Sequence, residues 1–391
     1  MKSYSFIDCY MIQSSCKNYS QRREIMRKYF MMFMLLMFGA VLVAADDNDD
    51  REVPVFDGEV GTEPLDGVTI LTGGTAGVYY PLGIALADVI DTNTDANASG
   101  VASGASVTNV DELAMGEAQL ALVQNDIAFY GFEGTNMFDQ ELQEFSGLFT
   151  MYPETIQVVV MEDSGIETIG DLEGMRVAVG DAGSGTEANA VQILEVHGLT
   201  LEDISPQYLS FADASTNLQD GNIDAAFITA GTPTGAVQEL SAQQDIKILS
   251  FEEDALADLL DEYSYYTEVQ LDEDTYENFD ATATTVAVQA MVIASNELSE
   301  DQVYDIMDAI FNNLDVVANS HIRGEELNIE TALDGMSVPL HPGAAKFYED
   351  NPVEDSEDDA DDEEDTEEDE DADAEDEEVE EDTEEDEEDA E

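Results

Sequence analysis

Short apolar runs alternate with amphipathic stretches along most of this chain. Period-two or fully apolar runs predict strands at 67–71, 118–123, 156–161, 176–180, 207–211, 225–229, 246–251 and 285–294. Apolar positions at helical spacing predict helices at 83–90, 110–115, 186–197, 214–219, 233–243 and 299–313. Strand–helix alternation with short connections implies parallel sheets covered by helices on both faces.

A weak internal echo refines this picture. Residues 109–122 and 214–227 each read as a short helix, a glycine stop and a small apolar strand. Each strand then enters a polar loop, Gln124-Asn125-Asp126 in one case and Thr229-Ala230-Gly231-Thr232 in the other. Two similar lobes would bring these loops together at a cleft, because ligands of open α/β sheets sit at the carboxyl ends of strands. Solvated turns are the plainer reading of both loops.

Two glycine-rich segments follow predicted strands and open helices. Gly73-Gly74-Thr75-Ala76-Gly77-Val78-Tyr79-Tyr80 is neither a Walker loop nor a G-x-G-x-x-G loop. Its glycines would let backbone N–H groups approach a ligand beside a helix start, and Tyr79 could add its hydroxyl. Gly180-Asp181-Ala182-Gly183-Ser184-Gly185-Thr186-Glu187 repeats the plan. Here Ser184 or Thr186 either caps the helix or clasps a carboxylate. A nucleophilic Ser184 is disfavoured, since a G-x-S-x-G elbow needs glycine where Ala182 stands. His197, His321 and His341 are dispersed without metal-ligand spacing, so no metal or cofactor is expected.

The ends of the chain differ from its body. Residues 1–45 hold six of the eleven basic residues and both cysteines, and Arg27-Lys28 leads into an apolar run closing on Val43-Ala44-Ala45. This reads as a secretory signal peptide, with Met26 as a second start, or as an uncleaved anchor. Residues 46–65 form a polar leader. The tail, 349–391, carries 32 acidic residues and no basic one, and such a self-repelling segment is expected to be disordered. Residues 46–348 hold 58 acidic and five basic residues, a net charge of −53. That charge points to a salty exterior, where at about 1 M ions the screening length falls to roughly 3 Å. Nucleic acid is excluded as a partner, because five scattered cations make no phosphate-binding patch.

The string Thr72-Gly73-Gly74-Thr75-Ala76-Gly77-Val78-Tyr79-Tyr80-Pro81-Leu82-Gly83 resembles the opening motif of the TAXI family, the solute-binding subunits of one class of TRAP transporters. Further similar segments follow in order: 122–128, Tyr152-Pro153-Glu154, 171–180, Ile228-Thr229-Ala230-Gly231-Thr232-Pro233 and Pro339-Leu340-His341-Pro342-Gly343-Ala344. The resemblance covers about 68–348, and the acidic tail departs from it. It implies a two-lobed α/β fold of the type II periplasmic-binding-protein kind. Lobe one would comprise 66–156 plus 284–348, and lobe two 157–283. The resemblance also implies a non-enzymatic, extracytoplasmic protein that closes on a small carboxylate or amino acid, glutamate-like, and delivers it to a TRAP-type permease. A sensory protein presenting the same ligand to a receptor is the alternative. The ligand-binding residues expected are Gly74, Thr75, Tyr79, Gln124, Asn125, Ser184, Thr186, Gly231 and Thr232.

Overall fold

The computed structural model describes residues 53–353, so the expected signal segment, the start of the expected leader and the tail beyond Val353 lie outside the described residues. Ten strands form one twisted sheet path in the order β2-β1-β3-β10-β4-β7-β5-β6, with β8 on β4 and β9 on β10. Their ranges are β1 Gly67–Leu71, β2 Asn97–Val101, β3 Leu120–Gln124, β4 Phe145–Met161, β5 Arg176–Ala178, β6 Ser205–Gln207, β7 Ala225–Ala230, β8 Ile246–Ile248, β9 Thr267–Leu271 and β10 Ala283–Ser295.

The path contains the same arrangement twice. In one lobe β2, β1 and β3 run parallel, the second half of β10 lies antiparallel beside β3, and the first half of β4 follows. In the other, β6, β5 and β7 run parallel, the second half of β4 lies antiparallel beside β7, and β8 follows. A 2-1-3 order followed by an antiparallel strand arriving from the other lobe defines the type II binding-protein architecture. The long strands β4 and β10 therefore join the lobes. Strand β4 changes partner at Thr155, which pairs with Ala287 of β10 and with Ala230 of β7. Both joining strands are buried on both faces, which explains their near-continuous apolar sequence.

Helices α1 (Tyr79–Asn93), α2 (Ser106–Ala114) and α3 (Asn125–Glu133) follow the first lobe's strands, and α4 (Gly185–Val196), α5 (Phe211–Gln219), α6 (Gly235–Ser241) and α7 (Glu253–Glu262) belong to the second. The chain returns to the first lobe through α8 (Glu300–Phe311), α9 (Leu314–Ser320) and α10 (Pro342–Asp350). Several starts share one device: Ser184, Ser210 and Ser299 accept the backbone N–H of Glu187, Asp213 and Gln302, three residues on. His341 does the same for α10, its Nδ1 accepting from Gly343 N at 3.2 Å. Burial holds this imidazole down at about 4, so it stays an acceptor at neutral pH.

Three sequence expectations need correction. Gln124-Asn125-Asp126 is not a free loop, because Asn125 already begins α3. The strand expected at 207–211 ends at Gln207, and Phe211 opens α5, since Ser210 caps a helix there. Glu349 and Asp350 belong to α10 and not to the tail. The described part of the leader is pinned to the first lobe by paired bonds, Leu65 N to Gln302 Oε1 (2.9 Å) and Gln302 Nε2 to Leu65 O (2.8 Å). Among the described residues, no helix is long and apolar enough to cross a membrane.

Candidate ligand-binding cleft

The segments after β1, β2, β5 and β6 and the last residues of β3 and β7 converge on one cavity of about 260 Å³ between the lobes. The β1 loop is fixed from below: Asn109 Nδ2 donates to both Thr72 O and Leu122 O at 2.7 Å, tying the ends of β1 and β3 together. The loop turns through a Gly77 N to Gly74 O bond of 3.0 Å and delivers Tyr79 to the first turn of α1. That turn carries no acidic residue, although the chain has 92 of them, so the helix's positive end stays open to the cavity.

Beneath it lies β4, with Tyr152 and Glu154 on the same side of the strand. Between Pro153 and Thr150, two β4 residues, Met151 and Tyr152, oppose the single Ala290 of β10. Such a bulge bends the strand and re-aims its side chains. The carboxyl of Glu154 is pushed up to about 8, first by burial and further by the charge of Asp126, with Tyr79 acting in the opposite sense. Burial and the neighbouring Glu154 also raise the Tyr79 hydroxyl.

From the second lobe, Ser184, Gly185 and Thr186 bring the start of α4 to the same cavity. Ser184 Oγ accepts from Glu187 N at 3.2 Å, and Glu187 Oε2 accepts from Gly183 N at 2.8 Å, so the turn is internally braced. Gly183, at φ +78°, needs the left-handed conformation, and its carbonyl accepts from Thr108 N of α2 at 3.1 Å across the cleft.

A buried polar network adjoins the cavity and also joins the lobes. Asn189 on α4 accepts from Gln124 Nε2 (2.9 Å) and donates to Asp126 Oδ2 (3.0 Å) and Tyr266 Oη (3.0 Å). Tyr266 donates to Gln192, whose Nε2 donates to Tyr130 Oη at 2.9 Å. Burial raises the Asp126 carboxyl to about 7, against the lowering effect of its bonds from Ile127 N and Asn189.

Buried polar groups ordinarily find partners. Around this cavity five do not: Tyr79 Oη, Gln124 Oε1, Tyr152 Oη, Glu154 Oε1 and Thr229 Oγ1. Tyr79 lies near Glu154 and Ser106, yet its hydroxyl has no bond of normal geometry. The cavity is thus built to satisfy something other than itself. Among the described residues no group of His, Cys, Asp and Glu is arranged to hold a metal ion.

Of the residues expected from sequence, Gly74, Thr75, Tyr79, Gln124, Ser184 and Thr186 line the cavity. Asn125, Gly231 and Thr232 do not. Asn125 ties α3 to β10 and to the C-terminal segment, its Oδ1 accepting from Gln289 N (3.1 Å) and its Nδ2 donating to Gly335 O (3.0 Å). The Thr232 carbonyl accepts from Arg323 Nε. A Cβ on Gly231 would lie 2.9 Å from the Tyr152 ring and from Arg323 Cγ, so glycine lets those two pack there. Sequence reasoning did not select Tyr152, Glu154 and Thr229. A signal for Glu154 existed, because it is the only charged residue in the 17-residue run of β4.

The fold and cleft define a two-lobed protein of the periplasmic-binding-protein class. The chain belongs to the NMT1-like family, whose model matches residues 70–351. An Escherichia coli (strain K12) protein named for aliphatic-sulfonate binding is 34% identical over 99 residues, 24% of this chain and 31% of that relative. The chain thus matches about a third of the length of that curated relative. Among solved structures, it is similar to the alkanesulfonate-binding protein of Xanthomonas axonopodis pv. citri bound to MOPS (16% identity, 73% of this chain and 83% of that one, TM-score 0.41). It is also similar to the substrate-binding protein of an amino acid ABC transporter (13% identity, 65% and 96%, TM-score 0.41). The architecture is assigned from the chain's own strand order.

Proposed function

We propose that the protein is an extracytoplasmic solute-binding protein that captures a small carboxylate or amino acid, glutamate-like, in the interlobe cleft and delivers it to a TRAP-type membrane permease. The observation that carries this reading is the convergence of five unpartnered buried polar atoms on one cavity. Gly74, Thr75, Tyr79, Gln124, Ser184 and Thr186 act as ligand contacts, and Tyr152, Glu154 and Thr229 join them. Residues 66–156 with 284–348 move as one lobe and 157–283 as the other, the β4 partner change at Thr155 supporting a hinge there. Closure stabilises a shape the protein already visits, by binding it more tightly than the open one.

Binding rather than hydrolysis is supported by the broken G-x-S-x-G elbow around Ser184, where Ala182 stands in place of the first glycine. The TRAP assignment rests on the ordered TAXI-like motifs at 72–83, 122–128, 152–154, 171–180, 228–233 and 339–344. The test is a calorimetric screen of amino acids, dicarboxylates and sulfonates in about 1 M salt, where surface charge is screened. Saturable one-to-one binding that vanishes when Thr229 and Tyr79 are both truncated supports the cleft. Undiminished binding by that variant moves the site elsewhere.

A further inference from the structure

Resting on the cleft reading above, the chemistry of the cavity narrows what its ligand must carry. All four described basic side chains are engaged elsewhere: Arg176 with Asp224 (2.6 Å), Lys247 with Glu167 (2.8 Å), Arg323 with Glu326, and Lys346 with Glu300 and Asp301 (3.4 Å each). None of them lines the cavity, whereas Glu154 and Asp181 do. Of the five unpartnered groups, the hydroxyls of Tyr79, Tyr152 and Thr229 can donate or accept, whereas Gln124 offers acceptance alone. Because Gln124 Nε2 is committed to Asn189, the oxygen left over is a carbonyl that can only accept. Glu154 Oε1 is likewise unpartnered, on a residue only 3% exposed. A ligand offering only acceptors would leave the Gln124 oxygen unmatched, and it would meet no cationic side chain among the residues lining the cavity. A buried charge is tolerated when it is paired and hydrogen-bonded.

We propose that Glu154 determines specificity in the cleft by pairing with an ammonium group on the ligand, so that the protein selects amino-bearing acids over the same acids lacking the amine. The acidic end of such a zwitterion then faces the N–H groups opening α1 and α4, leaving Glu154 to read the opposite end. The groups acting on Glu154 are Tyr79 from α1, Tyr152 on its own strand and Asp126 from α3. Asp181 lines the same cavity from the second lobe, and Arg323 acts on Tyr152 from behind. In the empty cleft the Glu154 carboxyl holds its proton up to about pH 8. An incoming ammonium favours the carboxylate, so at pH 7 that proton passes to the buffer as the ligand binds.

The experiment uses the full chain without its signal segment in about 1 M salt. Calorimetry screens the twenty amino acids and taurine, each compared with its deaminated acid, glutarate for glutamate, propionate for alanine and ethanesulfonate for taurine. The expected result is a hit whose amine-bearing member binds on the order of a hundredfold more tightly than its partner. Titrations in two buffers of different ionisation enthalpy at pH 7 should show net proton release, a readout that needs no mutation. Glu154→Gln, checked for folding by its melting temperature, should lose at least tenfold towards the amine-bearing hit and change little towards the deaminated acid. Binding of the plain acids alone, or net proton uptake, overturns the inference and leaves the cleft reading standing. An absence of binding by either class defeats the cleft reading and this inference with it.

Discussion

Gln124 at the end of β3 and Asn189 on α4 are joined across the cleft by a 2.9 Å hydrogen bond, and Asn189 also holds Asp126 at 3.0 Å. One amide therefore serves two groups of the opposite lobe. The bond also fixes the Gln124 amide so that its oxygen, and not its nitrogen, remains unpartnered at the cavity.

Asn189→Ala removes both interlobe bonds and leaves buried groups without partners, each costing about 1–3 kcal/mol unless water reaches them. Opening the lobes admits that water. The variant is expected to show a larger radius of gyration by solution scattering and at least about tenfold weaker ligand binding. Unchanged scattering with unchanged affinity would remove Asn189 as a latch.

Gly185 is the steric counterpart of this contact. A Cβ there would fall 1.5 Å from Gln124 Oε1, so Gly185→Ala must displace the glutamine or part the lobes. Ligand affinity should drop about tenfold or more, while circular dichroism should show that the chain stays folded. Gln124→Ala in the same background makes room for the methyl group but also removes the Gln124–Asn189 bond, so scattering should show closure restored only in part.

The pH dependence of stability follows from two raised carboxyls. Glu154 titrates at about 8 and Asp126 at about 7, against ordinary values of 4.5 and 3.8. The folded chain therefore holds both protons more tightly than the unfolded chain. The stability they contribute is complete below about pH 4 and is lost as pH rises through 7 to 8. The melting temperature of the unliganded protein should fall between pH 5 and about 8.5, and Glu154→Gln should flatten that fall. A variant profile as steep as the wild type's would show that Glu154 does not carry it.

Ser184 has a settled role and a proposed one. As the cap of α4 it accepts from Glu187 N, and Ser184→Ala should cost about 1 kcal/mol of stability, with Ser184→Gly costing less. If its hydroxyl also meets the ligand, both variants bind about tenfold or more weakly, irrespective of their different stabilities. Wild-type affinity in both would leave Ser184 a cap alone.

The charge of the body sets the conditions for all of these measurements. With −53 on residues 46–348, removing salt should lower the melting temperature steadily from molar to tens of millimolar, as repulsion loses its screening. A flat profile across that range would contradict adaptation to strong salt.

Apolar periodicity sufficed to anticipate β1 at 67–71 to the residue and placed strand segments inside both joining strands. It also marked the glycine-rich turns after β1 and β5, because turn chemistry and helix starts are written locally. It missed α3, since Gln124-Asn125-Asp126 reads as a polar loop when neither the network over Asn189 nor the bond from Gln289 is visible. Residues next to one another in sequence, Gln124 and Asn125, end in different surroundings, one at the cavity and one in a structural tie.

The sequence by itself determined an alternation of strands and helices, glycine-rich turns at strand ends, and a composition with almost no cations. These follow from patterns a few residues long and from composition. Only the tertiary structure decided which polar groups are left without partners, that Glu154 is buried beside Tyr79 and Tyr152, and that Thr232 serves Arg323 instead of the cavity. The reason is that partnership of a buried polar atom depends on segments far apart in the chain, as Asn189 lies 65 residues from Gln124 and 77 from Tyr266. Local pattern places a side chain on a face, and packing of distant strands decides what that face meets.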